Sequence, residues 1–421
     1  MSHLDTADLI DLKMTNKALK ANISKTLENK DYNIDQKLKP FFKDPKAFRS
    51  VQAHCDAILF GAFARRFFGR ISVPDNTLNI GVNANLEAMY AYLETEGYVK
   101  KSRSNDEAGE NDDAGGEANE EDDDGDDKAY SAIYTKTLPS GARYGIVVMS
   151  CPTRPILDAV FQLGPTTAEL NFVTWNKACS LVPAATFLRK EAYLIAKLGR
   201  GIDELDDEDI SVKSVHWDQF SDDKPDDLKT LLRLRRVGDR ETWTIKLNTD
   251  GVTPSNVPDA ILKSTTFQIR LSNEDTNGPT ARYVVGRKCL FDHPVLKYRY
   301  LTADQEEPDE DVMPPYSGPL LDLKDHLNDA TVIELSKLKP KDRPEGSDEL
   351  LRGELESLEL LGNFTPPQGW KYYDDELLKH LDKAWEAQLV MEEKEKKKAE
   401  VAAEQEDLIG MLAKLLKARE G

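Results

Sequence analysis

Alternating and helical-period apolar positions divide the chain into recognisable pieces. Asp44-Pro45 opens a stretch in which Ala47, Val51 and Cys55 recur at helical spacing, with Phe48 and Gln52 bordering the stripe. Asp44 suits the N-cap, and Pro45 suits the first helical position, where its missing N–H costs nothing. Ala57-Ile-Leu-Phe60 is an apolar lead-in to Gly61-Ala62. Ala62, Phe63, Arg66, Phe67 and Phe68 then predict a helix with an aromatic face, ended by Gly69. Leu78 to Val82 reads as a short strand. Leu86 to Gly97 reads as a second helix, with Leu86, Met89, Tyr90 and Leu93 on one face and Gly97 at its C-terminal cap.

Ala132 to Leu138 alternates, Pro139-Ser-Gly141 makes a turn, and Tyr144 to Ser150 is an apolar strand, together a hairpin signature. A helix is expected from Arg154-Pro155, and another over Thr186 to Leu198. Leu231–Val237 and Glu241–Leu247 flank Gly238-Asp239 as a second hairpin, and Thr266–Leu271 and Arg282–Gly286 extend a strand-rich half. Arg233, Arg235 and Arg270 alternate with apolar residues, as on a strand with one solvated face. Acidic, proline-bearing residues from Thr302 to Pro319 predict a linker, and Ser347 to Leu361 a short helix. Tyr373 to Arg419 reads as one long charged helix, apolar at Leu377, Leu381, Trp385 and Leu389 and again from Leu408 to Leu416. The repeat is not a sustained heptad, so no lasting coiled coil is expected.

These pieces predict an α+β chain: a polar arm over 1–34, a mixed-sheet domain over 35–200, a strand-rich continuation over 201–300, a linker over 301–372 and the final helix over 373–421. The length of 421 residues is enough to bury a substantial core. Charge modifies the picture in one place. Ser104 to Asp127 holds thirteen Asp and Glu, no Lys or Arg and nothing larger than Ala to bury, which predicts a disordered acidic insertion. It accounts for most of the formal net charge of −20. That balance argues against general nucleic-acid affinity, which needs clustered Lys and Arg. A basic protein partner meeting the acidic loop 104–127, or a partner captured by the terminal helix 373–419, is the expected contact.

Cys55, Cys151, Cys179 and Cys289 have no Cys-x-x-Cys spacing and sit among apolar residues, as reduced buried thiols do. His54, among core-facing neighbours and far in sequence from other ligand types, is expected as a structural histidine. The N-terminus lacks a basic-then-apolar leader and no apolar run reaches membrane-spanning length, so an intracellular location, cytoplasmic or nuclear, is expected, with no membrane association. No Gly-x-x-x-x-Gly-Lys-Ser/Thr, His-Glu-x-x-His or Gly-x-Ser-x-Gly is present, and Cys179 with His216 has only residue type in its favour as a dyad.

Several stretches in succession resemble a large group of uncharacterised fungal proteins with a degenerate nucleotidyltransferase-like (polymerase-beta-like) domain. They are Pro45-Lys-Ala-Phe-Arg49, Gly61-Ala-Phe63, Pro74-Asp-Asn-Thr-Leu-Asn-Ile-Gly-Val82, Glu96-Gly-Tyr98, Thr166-Thr-Ala-Glu-Leu-Asn171 and Cys179-Ser-Leu-Val-Pro-Ala-Ala-Thr186. The likeness covers roughly residues 40 to 200. It implies a small mixed sheet with flanking helices, a Gly-Ser at a helix start that holds phosphate, and Asp-x-Asp on the next strand for two magnesium ions. Carried onto this chain, those positions read Gly61-Ala62, Thr77 and Asn79, a vestigial cleft. Magnesium is a hard cation that needs anionic oxygens, and Thr and Asn are neutral. The third carboxylate, expected within Tyr144 to Ser150, is missing too. The resemblance therefore implies a catalytically inactive protein that works as an interaction module, with no catalytic residue, no metal and no cofactor. The alternative is a nucleotide binder or magnesium-dependent nucleotidyltransferase with displaced carboxylates, Asp75 or Glu87.

Overall fold

The computed structural model describes residues 32–71, 76–101, 130–151, 154–195, 203–213, 231–272, 282–286, 288–290, 293–303, 317–344, 347, 351 and 364–420. The acidic stretch 104–127, Asp75, His216 and most of 347–361 lie outside them. The protein is α+β, as its residue pattern predicts. It divides into one unit of residues 1–292 with 299–305, and a second of 293–298 with 306–421.

In the first unit, α1 (Ile34–Leu38) and α2 (Pro45–His54) begin on side-chain caps. The Asp44 carboxylate accepts from the amides of Lys46 and Ala47 at 3.0 and 3.2 Å, filling two of the donors a helix start leaves unpaired. Tyr32 and Ile34 are buried, so the core reaches into the end of the expected polar arm. The buried face of α2 runs through Phe48, Arg49, Gln52 and Ala53 rather than Ala47 and Val51. Two long polar side chains turn inward because backbone carbonyls await them. Gln52 donates to Val173 O at 2.9 Å, and Arg49 donates to Trp175 O and to Asp35. His54 is exposed, although its neighbours Ala53 and Cys55 are buried.

Eight strands form the main sheet in the order β11-β7-β6-β1-β2-β5-β4-β3. They are β1 (Ala57–Phe60), β2 (Thr77–Val82), β3 (Val99–Lys100), β4 (Tyr130–Thr137), β5 (Arg143–Ser150), β6 (Asn171–Val173), β7 (Lys177–Ser180) and β11 (Trp243–Lys246). All neighbours are antiparallel except β2 and β5, which run parallel. The expected hairpin is β4–β5, with Leu138 N bonded to Ala142 O across its turn. Helices α3 (Ala62–Gly69) and α4 (Leu86–Thr95) lie on one face, where Phe63, Phe67, Met89 and Leu93 share a core with Leu78, Ile80 and Val148. Gly97 ends α4 in the left-handed region at φ +88°, as its position predicts. Helix α5 (Ile156–Leu163) lies on the other face. Its close approach is possible because Gly81 has no side chain, since a Cβ there would stand 2.3 Å from Ile156 Cγ1.

The chain beyond β7 departs from expectation twice. Thr186–Leu198 is not one helix. A π-helical turn, Ala184–Arg189, ends at Lys190 in the left-handed region, and β8 (Glu191–Tyr193) pairs in parallel with β9 (Ser211–Lys213), beyond the short α6 (Asp203–Asp206). Nor do the strands around Gly238-Asp239 form a hairpin. β10 (Leu234–Arg236) pairs with β12 (Thr266–Ser272), which pairs with β13 (Arg282–Gly286), while β11 joins the main sheet through β7. The turn itself is built as predicted, with Gly238 at φ +84°. Asp239 satisfies it by accepting from the amides of Arg236, Glu241 and Thr242. Arg235 is buried, not solvated, because Asp239 meets its guanidinium at 2.6 and 2.9 Å and Leu181 O accepts from Nη2. Helix α7 (Asp259–Ser264) precedes β12, and β14 (Lys288–Leu290) pairs with β15 (Tyr300–Thr302).

The second unit contains α8 (Ser317–Lys337) and α9 (Asp374–Glu420). The 21-residue α8 replaces much of the expected linker. Tyr373 Oη donates to Glu334 at 3.0 Å, and Asp374 accepts from the amides of Lys297 and Tyr298. Leu377 and Leu381 are buried, whereas Leu389, Val390 and Val401 are exposed, so the described middle of the long helix is solvated as expected. Among the described residues no helix is long and apolar enough to cross a membrane.

Candidate functional site

Strand alternation puts Thr77, Asn79 and Gly81 on the face of β2 opposite the α3–α4 core. The parallel register sets them beside Gly145, Val147 and Met149 of β5. Where β1 ends and α3 begins, this face borders a cleft of about 260 Å³, lined among others by Gly61, Ala62 and Asn79. Three of the four residues expected at a vestigial cleft are therefore together. Thr77 is exposed at the start of β2 and does not line it.

Gly61 and Asn79 are matched sterically. Gly61 has φ +72° and ψ −149°, a region almost confined to glycine. A Cβ there would sit 2.8 Å from Asn79 Nδ2. The Asn79 carboxamide has no hydrogen-bond partner among the described residues and faces the cleft. The remaining walls are largely apolar: Phe60, Met149, Val160, Leu163 and Pro165.

Apart from Arg66, the charged rim comes from residues that periodicity did not single out. Arg65, fully buried on α3, meets Glu208 at 2.8 and 3.0 Å, Glu204 at 3.4 Å, and Glu169. Arg66 meets the same Glu208 and Glu204 at 2.9 and 3.2 Å. Three carboxylates thus surround two guanidinium groups. Burial alone would favour neutral Arg65, but the charges of Glu169, Glu208 and Glu204 outweigh it and hold the cation more firmly than usual. Glu169 moves the other way from a normal ion-pair partner. Burial raises it, Arg65 opposes that, and the neighbouring Glu204 and Glu208 add to the rise, so its carboxyl titrates above the usual range. The Arg65-Arg66 doublet between buried aromatics was the available sequence signal.

The Thr166–Asn171 motif serves the scaffold. Thr166 Oγ1 accepts from Ala168 N, Thr167 Oγ1 from Tyr193 N at 2.9 Å, and Asn171 Nδ2 donates to Ala168 O. Cys55, Cys151 and Cys179 are buried thiols outside any disulfide, and burial pushes Cys179 up to about 11. Glu87 is remote from the cleft: α4 packs on the far face, where the Glu87 charge acts on Tyr90 and Tyr134, so the sheet stands between it and Asn79. Among the described residues no group of three His, Cys, Asp or Glu side chains is placed to hold a metal ion. The donors beside Asn79 fit magnesium poorly, since the acids reaching the cleft, Glu169 and Glu204, already face Arg65.

The fold and site define an α+β protein with a mixed sheet and a cleft at the β1–α3 junction. No family model matches the chain, and neither the curated proteins nor the solved structures contain a significant match.

Proposed function

We propose that this protein is a catalytically inactive, nucleotidyltransferase-like protein that acts as a protein-interaction module. The observation that carries the reading is the composition of the strand face at the cleft: Thr77 and Asn79 on β2, and Gly145, Val147 and Met149 beside them on β5, with no carboxylate among the five. Two-metal phosphoryl transfer requires anionic oxygens converging on that face. Gly61 and the packing of α5 bound the cleft, where the neutral amide of Asn79 stands apart from the acids Glu169 and Glu204, which already face Arg65. The fungal family likeness supports the same reading. The contacts made by the module would come from the acidic segment 104–127 and from the terminal helix 373–419, the first suited to a basic partner.

The test is isothermal titration of the full chain with ATP, CTP, GTP and UTP, with and without magnesium. No magnesium-dependent heat is expected. Heat that appears only with magnesium would overturn the inactive reading and restore a nucleotidyltransferase or nucleotide binder.

A further inference from the structure

The cleft at the β1–α3 junction holds one unanswered polar group. The Asn79 carboxamide lines it and has no hydrogen-bond partner among the described residues. Its Nδ2 stands over Gly61, in space that a Cβ at that position would invade at 2.8 Å. Glycine there leaves the amide open rather than shielded. Around it, Phe60 from β1, Met149 from β5, Val160 and Leu163 from α5, and Pro165 make an apolar wall. A carboxamide carries a donor and an acceptor side by side. In apolar surroundings it is satisfied best by a group that offers the reverse pair.

The ion pairs at the rim decide the charge of what fits. Among the described residues, Glu169, Glu204 and Glu208 surround Arg65, and Glu204 and Glu208 also meet Arg66. Three carboxylates against two guanidinium groups leave no spare positive charge to draw an anion, although the start of α3 has no side-chain cap. The two acids on the cleft, Glu169 and Glu204, already face Arg65 and offer a cation little. A neutral ligand is what remains. We propose that this cleft of about 260 Å³ binds a small neutral molecule with a flat apolar body and a carboxamide or lactam edge. The edge pairs with Oδ1 and Nδ2 of Asn79, and Phe60, Met149, Val160 and Leu163 cover the body. Such binding rests on the reading above, in which this strand face presents no carboxylate for a metal, and it gives the cleft a ligand class.

The test is a ligand-observed NMR titration of the full chain, without metal, using three planar molecules of one shape: benzamide, benzoate and benzamidinium. Benzamide should bind saturably. Benzoate, with two acceptors, and benzamidinium, with donors only, each mispair one hydrogen bond with Asn79 and should bind about tenfold more weakly. Asn79→Leu keeps the size but removes the amide, and should abolish the preference. Leu163→Asp, at an exposed position of the wall, should weaken benzamide. Far-ultraviolet circular dichroism checks that both variants fold. Absence of saturable binding overturns the proposal, as does a charged member that binds as tightly as benzamide. So does a preference for benzamide that survives Asn79→Leu, or an affinity indifferent to Leu163→Asp. Tighter binding of N-acetylglutamine N-methylamide than of benzamide also overturns it, since the occupant would then be a side chain of a partner protein. Magnesium-dependent heat with nucleotides would sink the inactive reading and leave these metal-free affinities as measured, whereas loss of the benzamide preference would sink the ligand assignment alone.

Discussion

Arg65 donates from Nε and Nη2 to the two carboxylate oxygens of Glu208, at 2.8 and 3.0 Å, with both side chains buried. This bidentate pair joins the helix at the cleft to a turn 143 residues away. Removing Arg65 leaves Glu208 with Arg66 alone and buried Glu169 with no guanidinium, in a low-dielectric setting. Arg65→Ala should cost about 3–5 kcal/mol in urea unfolding. The double replacement Arg65→Met with Glu169→Gln should recover much of that loss, because the carboxylate that faces Arg65 but not Arg66 is then neutral. A double variant no more stable than Arg65→Ala would show that the pair does not act by charge compensation.

Glu169 gives the cluster a pH dependence. Its folded carboxyl is raised above the ordinary 4.5, so the folded state holds this proton more tightly than the unfolded chain. The contribution to stability is then fully present below 4.5 and is lost as pH rises through the folded value. Thermal midpoints of the parent and Glu169→Gln, compared across a pH series, should diverge in favour of Gln as pH rises from 4.5. A constant difference would contradict the assignment.

Asp239 works in the opposite sense. Burial acts to raise it, but the hydrogen bonds and charge of Arg235 and the turn amides prevail and hold it below 3.8. Its contribution is present above that value and lost as pH falls through the lower folded one. Asp239→Asn keeps the size but not the charge, and should destabilise by about 3 kcal/mol at neutral pH while flattening the acid limb of the stability profile.

Gly61→Ala would place a Cβ 2.8 Å from Asn79 Nδ2 and force an L side chain to φ +72°. Backbone strain of this type costs about 1–3 kcal/mol. Adding Asn79→Ala should relieve the steric part alone. Denaturant midpoints of the single and double variants separate the two parts, and complete recovery in the double would mean that backbone strain is negligible there.

Ser180 and Asn171 face each other across β6 and β7, both buried, and Ser180 Oγ has no hydrogen-bond partner among the described residues. Ser180→Ala removes an unsatisfied hydroxyl and should leave stability unchanged or raise it by about 1 kcal/mol. Asn171→Ala breaks a bond to a carbonyl, Ala168 O, and should cost about 1–3 kcal/mol. Equal losses in chemical denaturation would contradict this contrast.

What the chain determined by itself is local. Asp44 and Pro45 start α2, Gly97 stops α4, the Leu138–Arg143 turn closes β4–β5, and Gly238-Asp239 turns the backbone, since capping and turn chemistry depend on residues a few positions apart. Gly61 and Ala62 adjoin in sequence, and the geometry brings Asn79 of β2 to the same cleft without Thr77. Tertiary structure decided the rest. Alternation cannot say that β10 and β11 flank a turn yet join different sheets, because each finds its hydrogen bonds with a distant strand. Nor can a polar letter reveal its burial: Arg49, Arg65 and Arg235 go inside because Asp35, Glu208 and Asp239, with nearby carbonyls, compensate them there. Burial of a charge depends on which partners the folded chain brings to it, and for Arg65 those partners lie more than a hundred residues away.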